Sequence, residues 1–314
     1  MNKGAKRLLC LVNPRSGGNK GAEVARLLST LSISSIDKIE VRLLDINSEL
    51  PAADLIERDF SAVLIAGGDG TFSSVLGHYS DAKIDFLLLP LGTGNDLGKE
   101  LGISKLWRGN LQKFINLSLT LAPKKIQVWQ ATLLVDSEIK RVKFLNYLSI
   151  GWDGLIVKEF DRMRSKNVFP SGKFGPWGNR FLYLIAALKN PHYQLPPTIV
   201  VADPGETTEI SNSKSLIFSN ITSIMGVGKS NSIGDCSDEL IEICIINKAL
   251  DYFKMILPKT LTSSAAPIQG KCFKLKFIDT THAIPVQIDG EYFGQSGSIE
   301  IATAGTVSVR FSNN

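Results

Sequence analysis

The sequence predicts an α/β protein in two parts: a mostly parallel α/β domain, and after it an antiparallel β-rich sandwich. Apolar runs alternate with helical patterns as far as residue 122, which is typical of a parallel sheet with helices on both faces. From residue 123 onward, segments that alternate apolar and polar residues follow one another, which indicates antiparallel strands. The length of 314 residues is sufficient for two such domains.

The first domain, residues 1–122, is predicted to contain four buried strands and five helices. Short apolar runs place the strands at 7–12, 39–46, 61–66 and 85–91. Apolar residues that recur every three or four positions place the helices at 20–32, 51–58, 71–79, 94–101 and 108–120.

The second domain, residues 123–314, is predicted to be mostly strands. These are expected at 126–136, 140–151, 197–203, 207–221, 239–247, 271–278, 284–289 and 298–311. Helices are expected at 153–164 and 176–189. The stretch between them, 165–176, carries two prolines and two glycines and is expected to be a mobile loop. A return of the last strand, about 305–314, to the first domain is left open.

Composition narrows the class of protein. The net charge of +5 and the pI near 8.9 suit anionic partners such as nucleotides or phospholipid surfaces. The four cysteines are far apart and the three histidines are scattered, which argues against a disulfide framework and a zinc site and favours a reducing compartment. Apolar runs are too short to span a bilayer. We therefore expect a cytoplasmic protein whose membrane contact is peripheral.

A glycine-rich turn follows the third predicted strand, in the stretch VLIAGGDGTF. Gly67, Gly68, Gly70 and Thr71 offer backbone and hydroxyl groups to phosphate at the start of a helix. Asp69 repels phosphate on its own, so it indicates either a bridging Mg²⁺ or a proton acceptor. A tight turn with Asp69 near a helix N-terminus explains GGDG alone equally well.

Two further turns have the same setting after a strand. NPRSGGNKG follows the first strand, and PLGTGNDLG follows the fourth and adds a second acid, Asp96. Because ligands of parallel α/β sheets bind beyond the carboxyl ends of the strands, the three turns can converge on one anion. The further candidate contacts are Asn13, Ser16, Gly17, Gly18, Gly92, Thr93, Gly94 and Asn95.

These motifs and several later ones resemble the diacylglycerol kinase catalytic domain, within a superfamily that also holds sphingosine kinases. The resemblance covers nearly the whole chain. NPRSGG, GGDGTFSSVL and LPLGTGNDLGKELG are similar to the family's nucleotide-binding motifs. NYLSIGWDGLIVKEFDRMRSKN and GNRFLYL resemble the eukaryotic type of second half, and CSDELIEI and PVQIDGEYF resemble its acidic motifs. NAD kinases share GGDGT, but the other motifs do not match them.

The resemblance implies an ATP-binding first domain, a lipid-binding second domain and an active site in the cleft between them. It implies transfer of the γ-phosphate of ATP to the hydroxyl of diacylglycerol, which gives phosphatidic acid. A Mg²⁺–water network in the family corresponds to Asp69, Asp96 and Asp238 here, with Asp235 nearby. Glu291 corresponds to a proposed general base, and Asp69 competes for that role.

Some positions have ordinary structural explanations or depart from the family pattern. Asp238 is followed by Glu239 where the family has glycine, which puts the turn there in doubt. Asp238 is equally typical of a strand entry, and Glu291 after Asp289-Gly290 is consistent with the solvent face of a hairpin. Alternative functions are phosphorylation of sphingosine, ceramide, monoacylglycerol or phosphatidylglycerol, or binding of lipid or nucleotide without catalysis.

A segment rich in basic and aromatic residues, 158–180, is a candidate for docking on an anionic membrane. It contains Lys158, Phe160, Arg162, Arg164, Lys166, Phe169, Lys173, Phe174, Trp177 and Arg180. A solvated helix with aromatic side chains in the core explains the same pattern slightly better. The expected partners are ATP, Mg²⁺, a diacylglycerol-like lipid and an anionic membrane, without nucleic acid, and the oligomeric state is left open.

Overall fold

The computed structural model divides the chain into two compact units. It describes residues 6–45, 49–92, 94–165, 175–203, 205–224, 228–229, 234–256, 268–278 and 283–312. One unit comprises Met1–Val128 together with Ala304–Asn314, and the other comprises Trp129–Thr303. The division therefore falls within a strand rather than at residues 122 and 123, and the C-terminal segment belongs to the first unit.

The first unit contains four strands that come one after another with helices between them. The strands are β1 Arg7–Val12, β2 Lys38–Leu43, β3 Ala62–Gly67 and β4 Asp85–Pro90. The helices are α1 Ser16–Thr30, α2 Ala53–Asp59, α3 Asp69–His78, α4 Asp96–Glu100 and α5 Leu111–Thr120, with a 3-10 turn at Ile103–Lys105.

The sheet of this unit is parallel, with the order β2-β1-β3-β4. The end of the chain's last strand adds to it beside β4, where Ser308 pairs with Asp85 in parallel register. Strand β3 is buried along its whole length, and β1 and β4 are buried except at their first residues. This burial matches the continuous apolar runs that predicted a sheet covered on both faces.

The second unit consists mainly of strands and also has three helices, and the first and last of its strands continue across the division into the first unit. The strands are β5 Pro123–Val135, β6 Glu138–Phe144, β7 Tyr147–Gly151, β8 Thr198–Ala202, β9 Glu206–Ile210, β10 Ser215–Ser219, β11 Ser223–Ile224, β12 Gly228–Lys229, β13 Ile241–Ile246, β14 Ile268–Gly270, β15 Cys272–Phe277, β16 Ile284–Ile288, β17 Glu291–Ser296 and β18 Ile299–Arg310. The helices are α6 Trp152–Ser165, α7 Gly175–Lys189 and α8 Ala249–Ile256.

Two antiparallel sheets pack face to face in this unit. One has the order β14-β13-β10-β7-β16-β17, and the other contains β6, β5, β18, β15, β8 and β9. A shared apolar core, which includes Trp129, Phe144, Phe218 and Phe273, draws residues from both sheets. A second cluster, which includes Trp152 and residues of all three helices, packs against the other face of the first sheet. The predicted fold class, parallel α/β followed by an antiparallel sandwich, is confirmed.

Several boundaries differ from the sequence prediction. The segments 140–151 and 207–221 each form two strands instead of one. In the second segment, the four polar residues at 211–214 separate the two strands. Strands β11, β12, β14 and β17 and helix α8 were not predicted. Most of the predicted loop 165–176 lies outside the described residues, and α7 begins at Gly175. Within the ranges that the structure describes, no helix has both the length and the apolar character to cross a bilayer.

Candidate active site

Three turns at the carboxyl ends of β1, β3 and β4 contact one another. The amide of Asn13 donates to the carbonyl oxygen of Ala66 at 3.0 Å, and its side-chain amide donates to Thr71 Oγ1 at 2.9 Å. The Leu91 amide donates to the Gly67 carbonyl at 2.7 Å. Neighbouring positions in the sheet thus bring the three predicted motifs together.

Glycine is required where the second and third turns meet. A Cβ atom on Gly92 would lie 2.8 Å from the Cα of Gly68 and 2.9 Å from Asn95 Oδ1. The two backbones therefore approach too closely for any side chain, which leaves their peptide groups as the surface of the turns.

The first turn has an unusual backbone. Gly17, Gly18 and Asn19 have φ angles of 63°, 68° and 73°, so three successive residues are left-handed. The regular part of α1 therefore begins after Asn19, as the prediction of a helix at 20–32 had it. An added side chain on Gly17 would also collide with the Leu91 carbonyl.

Asp69 is held by the backbone of the third turn. Its two carboxylate oxygens accept hydrogen bonds from the amides of Asp96 at 3.0 Å and Leu97 at 3.1 Å. It therefore caps the N-terminus of α4, although sequence reasoning considered a cap only on the helix that Asp69 itself opens. Burial raises the pKa of Asp69 despite these hydrogen bonds, because desolvation disfavours the charged form.

Two more oxygen-bearing side chains lie at the start of α4. Asn95 is left-handed, with φ 52°, and donates to the Gly92 carbonyl at 2.5 Å, while its own Oδ1 is buried without a hydrogen-bond partner among the described residues. Asp96 is 4% exposed, and the Lys99 ammonium lies 3.7 Å from its Oδ1. Carboxylate and amide oxygens are the ligands that Mg²⁺ prefers, so Asp69, Asn95 and Asp96 fit this ion.

These oxygens cannot complete a metal site without other ligands. No three His, Cys, Asp or Glu side chains are grouped to hold a metal in the part of the chain that the structure describes. Mg²⁺ usually keeps several waters and binds substrate phosphates as well. Of the remaining predicted contacts, Gly70 is exposed, Gly18 has open space around it, and Thr93 lies outside the described residues.

Asp235 and Asp238, in the second unit, lie in consecutive turns before β13. Asp235 accepts hydrogen bonds from the amide and hydroxyl of Ser237 at 3.0 and 2.8 Å, and Asp238 accepts one from the Leu240 amide at 2.9 Å. Glu239 has φ 63°. It adopts the left-handed conformation that glycine favours, so the turn persists although glycine is replaced.

Glu291 is the first residue of β17 and is exposed. It follows the turn of the β16–β17 hairpin, in which Asp289 and Gly290 both have positive φ angles, 49° and 86°. The Asp289 carboxylate accepts hydrogen bonds from three successive amides, those of Leu145, Asn146 and Tyr147, at 3.2, 3.0 and 3.0 Å. This aspartate ties the hairpin to the start of β7 in addition to forming its turn.

A buried polar cluster lies behind the same turn. Gln287 Oε1 accepts a hydrogen bond from the Gly290 amide at 2.9 Å, and its Nε2 donates to Ser149 Oγ at 2.9 Å and Asp153 Oδ2 at 3.2 Å. Asp153 also accepts hydrogen bonds from the hydroxyls of Ser149 and Tyr252. Burial raises the pKa of Asp153.

Sequence reasoning missed the roles of Asp289, Gln287 and Asp153. Asp289 was considered only as a turn residue. Asp153 lies in a stretch that carried the family resemblance, NYLSIGWDG, and this was the available signal. Gln287 also lies in such a stretch, PVQIDGEYF, but its role was not apparent because its partners are distant along the chain.

Comparison with known proteins gives consistent matches over both units. Residues 7–130 match the family described as "Diacylglycerol kinase catalytic domain", and residues 143–292 match "Diacylglycerol kinase accessory domain". Diacylglycerol kinase 2 of Arabidopsis thaliana is 30% identical over 96% of this chain and 46% of that protein. Human diacylglycerol kinase theta is 27% identical over 95% of this chain and 34% of that protein. The chain thus spans less than half the length of these relatives.

Solved structures share the fold. A diacylglycerol kinase from Bacillus anthracis aligns with a TM-score of 0.64 and 16% identity, covering 99% of this chain and 98% of that one. Yeast NADH kinase aligns with a TM-score of 0.52 and 11% identity over 99% and 85% of the two chains. At these identities the alignments establish the architecture alone.

Proposed function

Because the chain belongs to the diacylglycerol kinase family of lipid kinases, we propose that it transfers the γ-phosphate of ATP to the hydroxyl of diacylglycerol. The oxygen–phosphorus bond to the lipid forms, the bond between the γ-phosphorus and the β–γ bridging oxygen breaks, and ADP and phosphatidic acid are the products. The observation that carries the proposal is the carboxylate of Asp69, fixed by the amides of Asp96 and Leu97 beside turns that only glycine can form.

The three turns of the first unit are proposed to bind the phosphates of ATP. Gly68 precedes α3, and Gly17 and Gly18 lie in the left-handed stretch at the start of α1. Amides at a helix N-terminus have no partner within the helix and carry partial positive charge, so they favour anions. Asn13 supports the binding surface by joining two of the turns through Thr71.

Asp69 and Asp96 are proposed to hold Mg²⁺, with Asp235 and Asp238 as further members of a water-mediated network. When it is bound, Mg²⁺ neutralises charge that develops on the transferred phosphoryl group. Asp69 contributes carboxylate oxygens whose positions are fixed by hydrogen bonds from the amides of Asp96 and Leu97. The raised pKa of Asp69 is consistent with a buried negative charge that a cation would stabilise.

Glu291 is proposed as the general base that accepts the proton of the lipid hydroxyl. It is an exposed carboxylate that directly follows a turn. Asp289 in this turn accepts hydrogen bonds from amides at the start of β7, and Gln287 accepts one from the Gly290 amide. Asp69 is the alternative base, and the two assignments predict different responses to Mg²⁺.

The proposal includes contact with an anionic membrane, for which the basic and aromatic segment 158–180 is the candidate. Phe160 is buried in the apolar cluster that contains Trp152 and residues of all three helices. This agrees with the alternative interpretation of segment 158–180, a helix with aromatic side chains in the core. Arg162 and Lys189 both pair with Glu159 at 3.0 Å. We still expect binding to vesicles with anionic lipid to exceed binding to neutral vesicles, and salt to weaken it. Equal sedimentation with both kinds of vesicle would contradict an electrostatic dock.

The proposal is tested by a panel of lipids with γ-labelled ATP, with Mg²⁺ and with EDTA. Diacylglycerol, monoacylglycerol, sphingosine, ceramide and phosphatidylglycerol are presented in the same detergent micelles. Label is expected in phosphatidic acid, and only with Mg²⁺. The Asp69→Asn variant, purified in parallel, controls for contaminating kinases. Preferential labelling of another lipid would replace the substrate, and absence of any labelled lipid would contradict the kinase assignment.

A further inference from the structure

The position of Glu291 is set by the backbone of its hairpin, in which it pairs with Ile288 next to the turn. Its carboxylate has no hydrogen-bond or ion-pair partner among the residues that the structure describes, and the side chain is exposed. The residue before it, Gly290, has a left-handed backbone, with φ 86°. A rotation of the Asp289–Gly290 peptide group, which carries the Gly290 N–H, would distort the turn that leads into Glu291, and within the described ranges the Glu291 side chain has no hydrogen bond or ion pair to resist this.

The side chain of Gln287 restrains that peptide group. Its Oε1 accepts the hydrogen bond of the Gly290 amide at 2.9 Å. A β-bulge lies between Val286 and Gln287, where the register of β16 with β17 shifts. Bulges commonly redirect side chains next to active sites, and this bulge comes just before the turn.

The Gln287 side chain is in turn fixed from behind. Its amide nitrogen donates to Ser149 and Asp153 and cannot also face Gly290, so the side chain has one orientation. Asp153 is 0% exposed and accepts hydrogen bonds from Ser149 and from Tyr252, at 2.5 Å for the latter. The cluster thereby joins β7, α6, α8 and β16 to the Gly290 amide.

A buried polar cluster is an inefficient way to stabilise a core, because removing its polar groups from water costs free energy. A fully buried carboxylate without a cation is costly even when it is hydrogen-bonded, and well-packed apolar residues often serve stability as well or better. What a buried polar network provides is a single orientation of its members. Here the network extends to the backbone next to Glu291 through the hydrogen bond from the Gly290 amide to Gln287 Oε1.

We propose that Gln287 is a positioning residue for Glu291, held in its orientation by Asp153 and acting through the Gly290 amide. The inference rests on the proposed function only in giving Glu291 a chemical role. The restraint on the turn is a property of the second unit alone, and it can be measured without turnover.

The first test is a double-mutant cycle on kcat. Gln287→Met keeps the length of the side chain and removes both of its hydrogen-bonding functions, so kcat should fall about ten- to a hundredfold, with KM for ATP unchanged. In a Glu291→Gln background the same substitution should cost nearly nothing, because the group that it positions is already lost. Equal losses in both backgrounds would overturn the proposal.

A matched variant separates positioning from stability. Lys214→Met also removes buried hydrogen bonds from the second unit, those from the Lys214 ammonium to the carbonyls of Pro191 and Tyr193 at 2.6 and 2.8 Å. It should lower the melting temperature and leave kcat unchanged. A comparable fall of kcat in this variant would mean that loss of stability alone accounts for the effect of Gln287→Met.

The second test needs no substrate. Hydrogen exchange at the Gly290 amide should become at least tenfold faster in Gln287→Met than in the wild type, and should not change in Lys214→Met. Unchanged protection in Gln287→Met would overturn the proposal. If the wild type phosphorylates no lipid, the proposed function fails and hydrogen exchange still decides whether Gln287 restrains the turn.

Discussion

The two units fix their candidate catalytic acids by opposite means. In the first unit, the Asp69 carboxylate itself is held by two backbone amides, and glycines make the close contacts around it. In the second unit, Glu291 is held through its backbone, which Asp289 and Gln287 tie to distant strands. Carboxylate oxygens that are fixed in advance, as in Asp69, suit the binding of a cation. A carboxylate that is restrained only through its backbone, as in Glu291, suits contact with a mobile lipid.

The largest effect is expected from the acid that is held directly. Asp69→Asn should lower kcat by about 10³-fold or more, because the buried charge that would neutralise a cation is lost. The amide oxygen can still accept one of the two α4 hydrogen bonds, so the fold should persist. Steady-state kinetics on protein with an unchanged circular dichroism spectrum checks this, and near-normal turnover would remove Asp69 from the mechanism.

Glu291→Gln should lower kcat by about 10²- to 10⁴-fold, the usual contribution of a general base. The affinity for ATP and the Mg²⁺ concentration required for half-maximal rate should stay as in the wild type. In Asp69→Asn, by contrast, residual activity should need more Mg²⁺. Mg²⁺ titrations of both variants test the contrast, and a wild-type kcat in Glu291→Gln would leave Asp69 as the better candidate for the base.

The same contrast explains which parts of the candidate site could be predicted from the sequence. The three turns of the first unit are local motifs, each contiguous and each following an apolar run, so their convergence could be predicted from the rule that ligands bind beyond the carboxyl ends of parallel strands. Even there, the capping of α4 by Asp69 was missed, because its partners, Asp96 and Leu97, belong to another turn.

The structure of the second unit was harder to predict from the sequence, for a physical reason. The segment 140–151 has the alternation of one long strand, and what divides it is the Asp289 carboxylate, which binds the amides of residues 145–147. Alternation in a sequence does not show where a distant side chain competes for backbone amides. The Gln287 cluster has the same character, since Ser149, Asp153 and Tyr252 are far from it in the chain.

Removal of the Asp289 side chain should show how strongly the second unit depends on such a contact. Asp289→Ala should lower the free energy of unfolding by about 2–4 kcal/mol, because part-buried amides of Leu145, Asn146 and Tyr147 lose their acceptor. Denaturant unfolding measures the loss. Asp251→Ala, at a carboxylate that accepts an exposed amide, that of Lys248, is the control and should cost under about 1 kcal/mol. Similar losses in the two variants would show that the three amides find water instead.

The smallest expected effect concerns a buried acid of the second unit that has no role in the proposed chemistry. Glu242 on β13 is 0% exposed, accepts one hydrogen bond from Gln269 at 3.0 Å, and has an Oε2 without a hydrogen-bond partner in the part of the chain that the structure describes. Burial above all, and further the nearby charges of Asp238 and Asp235, raise its pKa to about 7. The folded state therefore favours the protonated side chain.

The sign of the pH dependence follows from this. In the unfolded chain the pKa of a glutamate is about 4.3, so between about pH 4.3 and 7 the folded protein binds more protons than the unfolded one at this position. The stabilisation that protonation gives is complete below about pH 4.3 and is lost as the pH rises through 7. Glu242→Gln, which cannot ionise, should remove this component and raise the free energy of unfolding at pH 8 by about 1–2 kcal/mol relative to the wild type, with little difference at pH 5. Denaturant unfolding of both proteins at the two pH values, in buffer with EDTA so that no cation neutralises the nearby aspartates, measures the difference. An equal offset at both pH values would show that packing rather than ionisation distinguishes the two proteins, and a wild type more stable than the variant at pH 8 would show that the charged form of Glu242 finds a partner in solution.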